Sequence, residues 1–184
     1  MKWIKKIIIS IVIVMVILFT NTIPMTFTKE DRNVQYIRTN WIDGMNGETY
    51  ILESKEELVE YLNKNRKKHN LGHKEKVYSD TTIGFEDAIV DYDEEWFKDN
   101  NLVLILLTAN SGSIRFKVNS IDINNGKMDI SFKKEVPEIG TCDMAGWHII
   151  VETEKVSIDE INVFIEEIEI VKNMKKRSNI YSDR

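Results

Sequence analysis

Leu102-Val103-Leu104-Ile105-Leu106-Leu107 is the stretch on which the fold turns. A continuous apolar run with no polar alternation does not suit a sheet with one face in water, and this one is too short to span a bilayer. Bounded by Asn100-Asn101 and Thr108-Ala109-Asn110, it reads as a strand buried on both faces. Downstream, Ser111-Gly112-Ser113 supplies a turn, after which Ile114, Phe116 and Val118 alternate with Arg115, Lys117 and Asn119, the period of a half-buried strand. Ile121 and Ile123 continue it after a change of register. Asn124-Asn125-Gly126-Lys127 is a hairpin signal, because Asn and Gly tolerate the positive φ of a type I′ turn. The returning strand places Met128, Ile130 and Phe132 on one face. Past Pro137 and Gly140, Trp147-His148-Ile149-Ile150-Val151-Glu152 predicts a further strand.

Upstream, Val34, Tyr36, Ile37, Thr39 and Trp41 are strand formers, and Asp43-Gly44 with Asn46-Gly47 provide turn chemistry before Thr49-Tyr50-Ile51-Leu52, which predicts a first hairpin. Ser54 followed by Glu57 forms a capping box, and Leu58, Tyr61 and Leu62 recur at helical spacing, so a helix is expected over about Lys55 to Lys67. Its basic end, Lys64, Arg66, Lys67 and Lys68, complements the helix dipole. Leu71 to Thr82 reads as a loop, Ile83 to Ile89 as a short strand or irregular segment, and Asp93 to Phe97 as one helical turn with inward aromatics. Ser157 with Glu160 repeats the capping box, and Ile158, Ile161, Ile165 and Ile168 predict an amphipathic last helix. The fold class expected is α+β, one domain of antiparallel β-hairpins packed with two main α-helices behind an N-terminal transmembrane helix.

That N-terminal helix is read from Lys2, Lys5 and Lys6 followed by the almost unbroken apolar run Ile7 to Phe19. The run suits the apolar core of a secretory signal, and extended to Ile23 and Met25 it reaches spanning length. No Ala-x-Ala pattern follows, and no cysteine stands there to take a lipid, which favours an uncleaved signal anchor over a cleaved signal. The lysines before the run place the N-terminus in the cytoplasm and the remainder outside. The organisation expected is therefore a membrane anchor and stalk over 1–28, an extracytoplasmic domain over 29–172 and a charged tail over 173–184, with the cell membrane met through Ile7 to Ile23.

Of 184 residues, 30 are acidic and 25 basic, which gives no basic nucleic-acid footprint and excludes that class of partner. Cys142 is the only cysteine, so no intramolecular disulfide forms. Richness in Ile, Lys and Asn with little Pro matches a bacterial protein of low-GC coding.

Chemistry-bearing residues are sparse. Cys142, Asp143 and His148 invite a nucleophile and base, but a second, distant histidine in a partner motif is missing. His69 and His73 have zinc spacing, yet Gly72 lies between them and a third ligand is absent. Asp43, Asn46 and Glu48 miss the calcium-loop spacing, and Asp91, Asp93, Glu94 and Glu95 fit a helix start. No catalytic residue, metal ligand or cofactor site is assigned. As protein-contact candidates the loop from Pro137 to Trp147 offers Met144 and Trp147, and the small-residue turn offers Ser111 and Ser113.

The layout from Leu102 through Ser111-Gly112-Ser113, the Asn125-Gly126 hairpin, Pro137 and the Trp147 to Val151 strand resembles the PrcB C-terminal-like family. That family is known from an accessory lipoprotein of a bacterial surface protease complex and from exported bacterial proteins. The chain differs from the accessory lipoprotein in its Lys-Ile anchor and in Thr141-Cys142-Asp143-Met144-Ala145-Gly146. The resemblance implies a non-enzymatic accessory role towards an unknown envelope protein or protease complex, and carries no catalytic residues over. Two alternatives stand beside it. One is an exported hydrolase using Asp91, Asp93 or Asp143 with His148; the other is a membrane-tethered peptidase inhibitor presenting the Ser111 to Ser113 or Pro137 to Gly146 loop.

Overall fold

The computed structural model describes residues 34–74 and 83–170. The expected anchor, the stalk, most of the Leu71 to Thr82 loop and the tail lie outside the described residues. Among the described residues no helix is long and apolar enough to cross a membrane. Strands are β1 (Val34–Thr39), β2 (Thr49–Leu52), β3 (Asn100–Ala109), β4 (Arg115–Asn124), β5 (Lys127–Pro137), β6 (Ala145–Glu154) and β7 (Glu160–Ile170). Helices are α1 (Lys55–His69) and two single turns, α2 (Phe85–Ala88) and α3 (Trp96–Asp99). The fold is α+β, with most of its structure in two sheets and one main helix.

The central pair is β3 with β6, antiparallel over the full length of both strands. Because side chains alternate across a strand, β3 sends Val103, Ile105 and Leu107 into one core and Leu102, Leu104 and Leu106 into another. Strand β6 divides in the same way, with Trp147, Ile149 and Val151 on one side and His148 and Ile150 on the other. The first core is closed by Phe116, Val118, Met128, Ile130 and Phe132 of a second sheet ordered β4-β5-β7. The other is closed by Leu58 and Tyr61 of α1, with Phe85, Tyr92 and Phe97. The doubly buried run thus lies between a helical layer and a second sheet.

Local chemistry sets the connections. Asn125 and Gly126 have φ of 50° and 77°, which makes the β4–β5 turn type I′. The expected register change is a bulge between Val118 and Ser120, beside which the Val118 N–H donates to the Tyr36 hydroxyl at 2.8 Å, tying the two sheets together. Ser54 caps α1 by accepting from the Glu57 N–H at 3.2 Å, and Asn70 ends it in the left-handed region at φ 56°.

Several expectations are corrected. The first hairpin does not form: β1 and β2 lie on opposite edges of a sheet ordered β1-β6-β3-β2. Gly44 and Gly47 do turn the chain, with φ of 80° and 85°, but between them Met45 is drawn into the helix-side core at 1% exposure, and Gly47 and Glu48 bond to Leu106. The segment over Phe85–Ala88 is a helical turn, neither strand nor irregular. The second main helix is strand β7, which runs parallel to β5 and so also breaks the all-antiparallel expectation. Ser157 does not cap; its hydroxyl donates to Asp159, and the Asp159 and Glu160 amides donate to the Gly126 carbonyl at 2.7 and 3.2 Å. That docking sets Ile161 and Val163 against the core beside Met128 and Ile130, a period of two that β-branched residues favour.

Since each face of β3 fills a separate core, Leu104→Ala and Ile105→Ala should each cost about 2–5 kcal/mol in urea denaturation. A strand covered on one face only would show a large cost at just one of them.

Candidate functional site

His148 is the one polar side chain in the apolar first part of β6, Ala145 to Val151, and the sequence offers it no neighbour to bond. The fold brings partners from three other elements. Its Nδ1 lies 3.0 Å from Thr39 Oγ1 at the end of β1, and its Nε2 lies 2.8 Å from the Tyr61 hydroxyl on α1. A neutral imidazole has one donor and one acceptor, and hydroxyls can take either role, so both nitrogens are satisfied. The His69 ring, from the last turn of α1, meets it edge-on at 5.0 Å, and the Phe85 ring of α2 does so at 5.6 Å. His148 is 0% exposed and His69 1%, and His69 Nδ1 has no hydrogen-bond partner.

Burial holds both imidazoles neutral. It pushes His148 down to about 3, with the neighbouring His69 adding to the shift, and lowers His69, where Lys68 contributes as well. Burial likewise raises the Tyr61 phenol. Nearby, the Tyr50 ring meets Tyr61 edge-on at 4.8 Å, and its hydroxyl donates to Glu48 at 2.8 Å. The group bonds helix α1 to the sheet through side chains, beside the backbone bond from the Asn40 N–H to the His69 carbonyl at 3.0 Å.

Above this cluster opens a cleft of about 560 Å³. Thr39 and Phe85 belong to both, bonding or touching His148 below and lining the cleft above. Its walls carry Arg38, Lys68 and Asp143, and its apolar lining includes Trp41, Ile83 and Met144, which are 38%, 42% and 55% exposed. Arg38 forms an ion pair with Asp143, whose other oxygen accepts from the Gly112 N–H at 3.3 Å. The Thr141 hydroxyl first, and Arg38 after it, hold the Asp143 carboxyl below its ordinary range. Gly112 leaves room for the pair, since a Cβ there would push against the carboxylate and guanidinium tips of both members.

The contact candidates separate. Met144 stands exposed on the cleft. Trp147 is corrected: at 1% exposure it is inside the core, where the parity of β6 points it, with the Arg115 guanidinium 5.3 Å from its ring centre. Ser111 and Ser113 brace a loop, Ser111 Oγ donating to the Thr141 carbonyl at 2.9 Å and lying 2.8 Å from Ser113 Oγ. Cys142 is exposed on that loop. Helix residue Tyr61, strand residue Thr39 and Trp41, just beyond β1, were legible only as packing or strand formers, and Arg38 carried no signal. The one available clue was His148 itself, a hydrogen-bonding side chain in an apolar strand that demands partners.

The zinc pair is divided: His69 is buried, whereas His73 is exposed and bonds Asp87 at 2.6 Å and Glu86 at 3.3 Å, which raises its pKa, Asp87 first. Among the described residues no group of His, Cys, Asp and Glu is placed to hold a metal. His148 meets hydroxyls where the hydrolase alternative needs a carboxylate, Asp143 is committed to Arg38 and Gly112, and Asp93 caps the Trp96 N–H at 2.8 Å. In this arrangement the buried cluster can order α1 on the sheet, and the cleft above can bind. The chain matches no family model, no curated protein and no solved structure.

A histidine with a lowered folded pKa takes a proton more readily when unfolded. Its contribution is therefore complete above about pH 6.5 and drains as pH falls towards the folded value. Thermal unfolding should show stability falling from pH 6.5 towards pH 4 by up to about 1.4 kcal/mol per pH unit for His148, with His69 adding to the fall in the same direction. His148→Asn should lower stability at pH 7 and flatten that slope by close to one proton; an unchanged slope would mean His148 does not titrate on unfolding.

Proposed function

We propose that the chain is a membrane-anchored, extracytoplasmic bacterial protein of non-enzymatic, accessory type, which binds another envelope protein through the cleft. The observation that carries this reading is the gathering of Trp41, Ile83 and Met144, all exposed, around one concavity with charged residues on its walls. Specific protein interfaces have that composition, with aromatic and Met side chains at the centre and polar groups at the rim. The sealed state of His148 supports a structural role for the polar cluster. The anchor reading of Ile7 to Ile23 supports retention at the membrane with the N-terminus cytoplasmic. The layout resemblance to a family known from an accessory lipoprotein of a protease complex and from other exported bacterial proteins supports an envelope protein, or a protease complex, as the partner.

A second reading is favoured by one feature, the exposed loop carrying Ile139 at 82% exposure and braced by the Ser111 and Ser113 hydroxyls. Substrate-like inhibitors present a rigid loop of this kind to a protease cleft. Inhibition of envelope proteases by the intact chain, abolished by Ile139→Asp, is its expected signature.

For the leading reading, a photo-crosslinking residue placed at Trp41 or Met144 in intact cells should capture one discrete protein, and the same probe at Val90, 72% exposed elsewhere on the surface, should not. Capture that is equal at all three positions, or absent at the first two, overturns the cleft as the contact.

A further inference from the structure

Strand β7 ends the three-stranded sheet, so among the described residues β5 is its only strand neighbour. Edge strands that stay single are commonly short, bulged, or furnished with Pro or with charged side chains, Lys above all, devices that block pairing with another chain. Strand β7 is neither short nor bulged and has no Pro, and its only charges are the glutamates Glu160, Glu166, Glu167 and Glu169. It extends over 11 residues against β5 without a register shift, and it contains neither Lys nor Arg. Its apolar residues occupy both faces. Ile161, Val163 and Ile165 share the face of Met128, Ile130 and Phe132, whereas Phe164, Ile168 and Ile170 lie on the other. Phe164, Ile165 and Ile170 are 55%, 43% and 39% exposed. Apolar residues on both faces are also the mark of β3, which has a strand on each side.

We propose that β7 pairs antiparallel with β7 of a second copy of this chain, merging two three-stranded sheets into one of six strands. A two-fold axis normal to the sheet keeps core face with core face and sets one residue opposite its own counterpart. Complete overlap of Glu160–Ile170 places that axis at Ile165. Phe164 then faces Glu166, Val163 faces Glu167, Asn162 faces Ile168, Ile161 faces Glu169 and Glu160 faces Ile170. Every glutamate of the strand thereby avoids a directly opposed glutamate, the arrangement that destabilises strand pairs. Other alignments either lose this property or shorten the overlap: an axis at Phe164 also keeps the glutamates apart, but it pairs only residues 160–168 and sets Asp159, just outside the strand, against Glu169. An axis at Val163 sets Glu160 against Glu166, and an axis at Glu166 or Glu167 sets a glutamate against itself. Glu160 and Glu167 are already neutralised within each copy by Lys127 and Lys134, at 2.7 and 2.8 Å, which lowers the repulsion between copies further.

The test uses the full chain in detergent micelles with Cys142→Ser, so that a single introduced cysteine reports. Under mild oxidation Ile165→Cys should convert most of the chain to a covalent dimer, while Asp122→Cys on the opposite edge strand β4 should remain at background. Sedimentation equilibrium of the otherwise unaltered chain should show a dimer that Ile165→Lys weakens about fivefold or more, by opposing two like charges at the axis. Both altered positions in these variants are exposed, and an unchanged circular dichroism spectrum checks that folding is kept. Equal capture at residues 165 and 122, no capture at 165, or a dimer indifferent to Ile165→Lys overturns the proposal.

Discussion

Pairing of β3 with β6 is the constraint on which the rest of the structure depends. Both strands are buried on both faces, so neither can exist without cover on two sides at once. That requirement calls up the two other layers. The face carrying Val103, Ile105 and Leu107 needs the second sheet, and the face carrying Leu102, Leu104 and Leu106 needs α1 and the single-turn helices. It also calls up the edges, since β1 must close the outer side of β6 and β2 that of β3. A local hairpin between β1 and β2 would leave one of those central strands uncovered along its edge. Non-local pairing therefore wins over the turn chemistry of Gly44 and Gly47, which is used to carry the chain across the sheet end.

His148 is where this arrangement departs from pure apolar packing. An imidazole in that core is tolerated only because Thr39, Tyr61 and its own neutrality remove the cost of burying a polar group. The same bonds fix α1 and β1 relative to β6, the Phe85 ring packs α2 against His148, and those elements contribute to the walls and floor of the cleft. Surface and interior are thus coupled through Thr39 and Phe85. A charge placed on either buried imidazole would be felt first at the seat of the cleft.

Much of the sheet structure was legible in the chain because it is written in short-range patterns. The alternation of Ile114, Phe116 and Val118, the bulge before Ile121, the Asn125-Gly126 turn and the continuous Leu102 run all appear where their periods place them. Strand β7 carries two periods at once. Ile158, Ile161, Ile165 and Ile168 satisfy a helical stripe, while Ile161, Val163 and Ile165 satisfy a strand, and the local capping box at Ser157 favours the helix. What decides it is a contact distant in sequence, the Gly126 carbonyl taking the Asp159 and Glu160 amides, which no local pattern encodes. The site was less legible still. Thr39, Tyr61, His69 and His148 are brought together from across the chain, and Trp147 shows that an aromatic in a promising loop is placed by strand parity and not by its chemistry.

The central claim is that the β3–β6 pair, sealed between two cores, is the most stable part of the fold, with the edges hung upon it. Native-state hydrogen exchange resolved by residue tests it most directly. The amides of Leu102 to Leu107 and Trp147 to Val151 should exchange only through global unfolding, while those of the outer strands β1 and β2 exchange by cheaper local opening. Protection of β2 equal to that of β3, or early exchange of Leu104 and Ile149, would contradict the account.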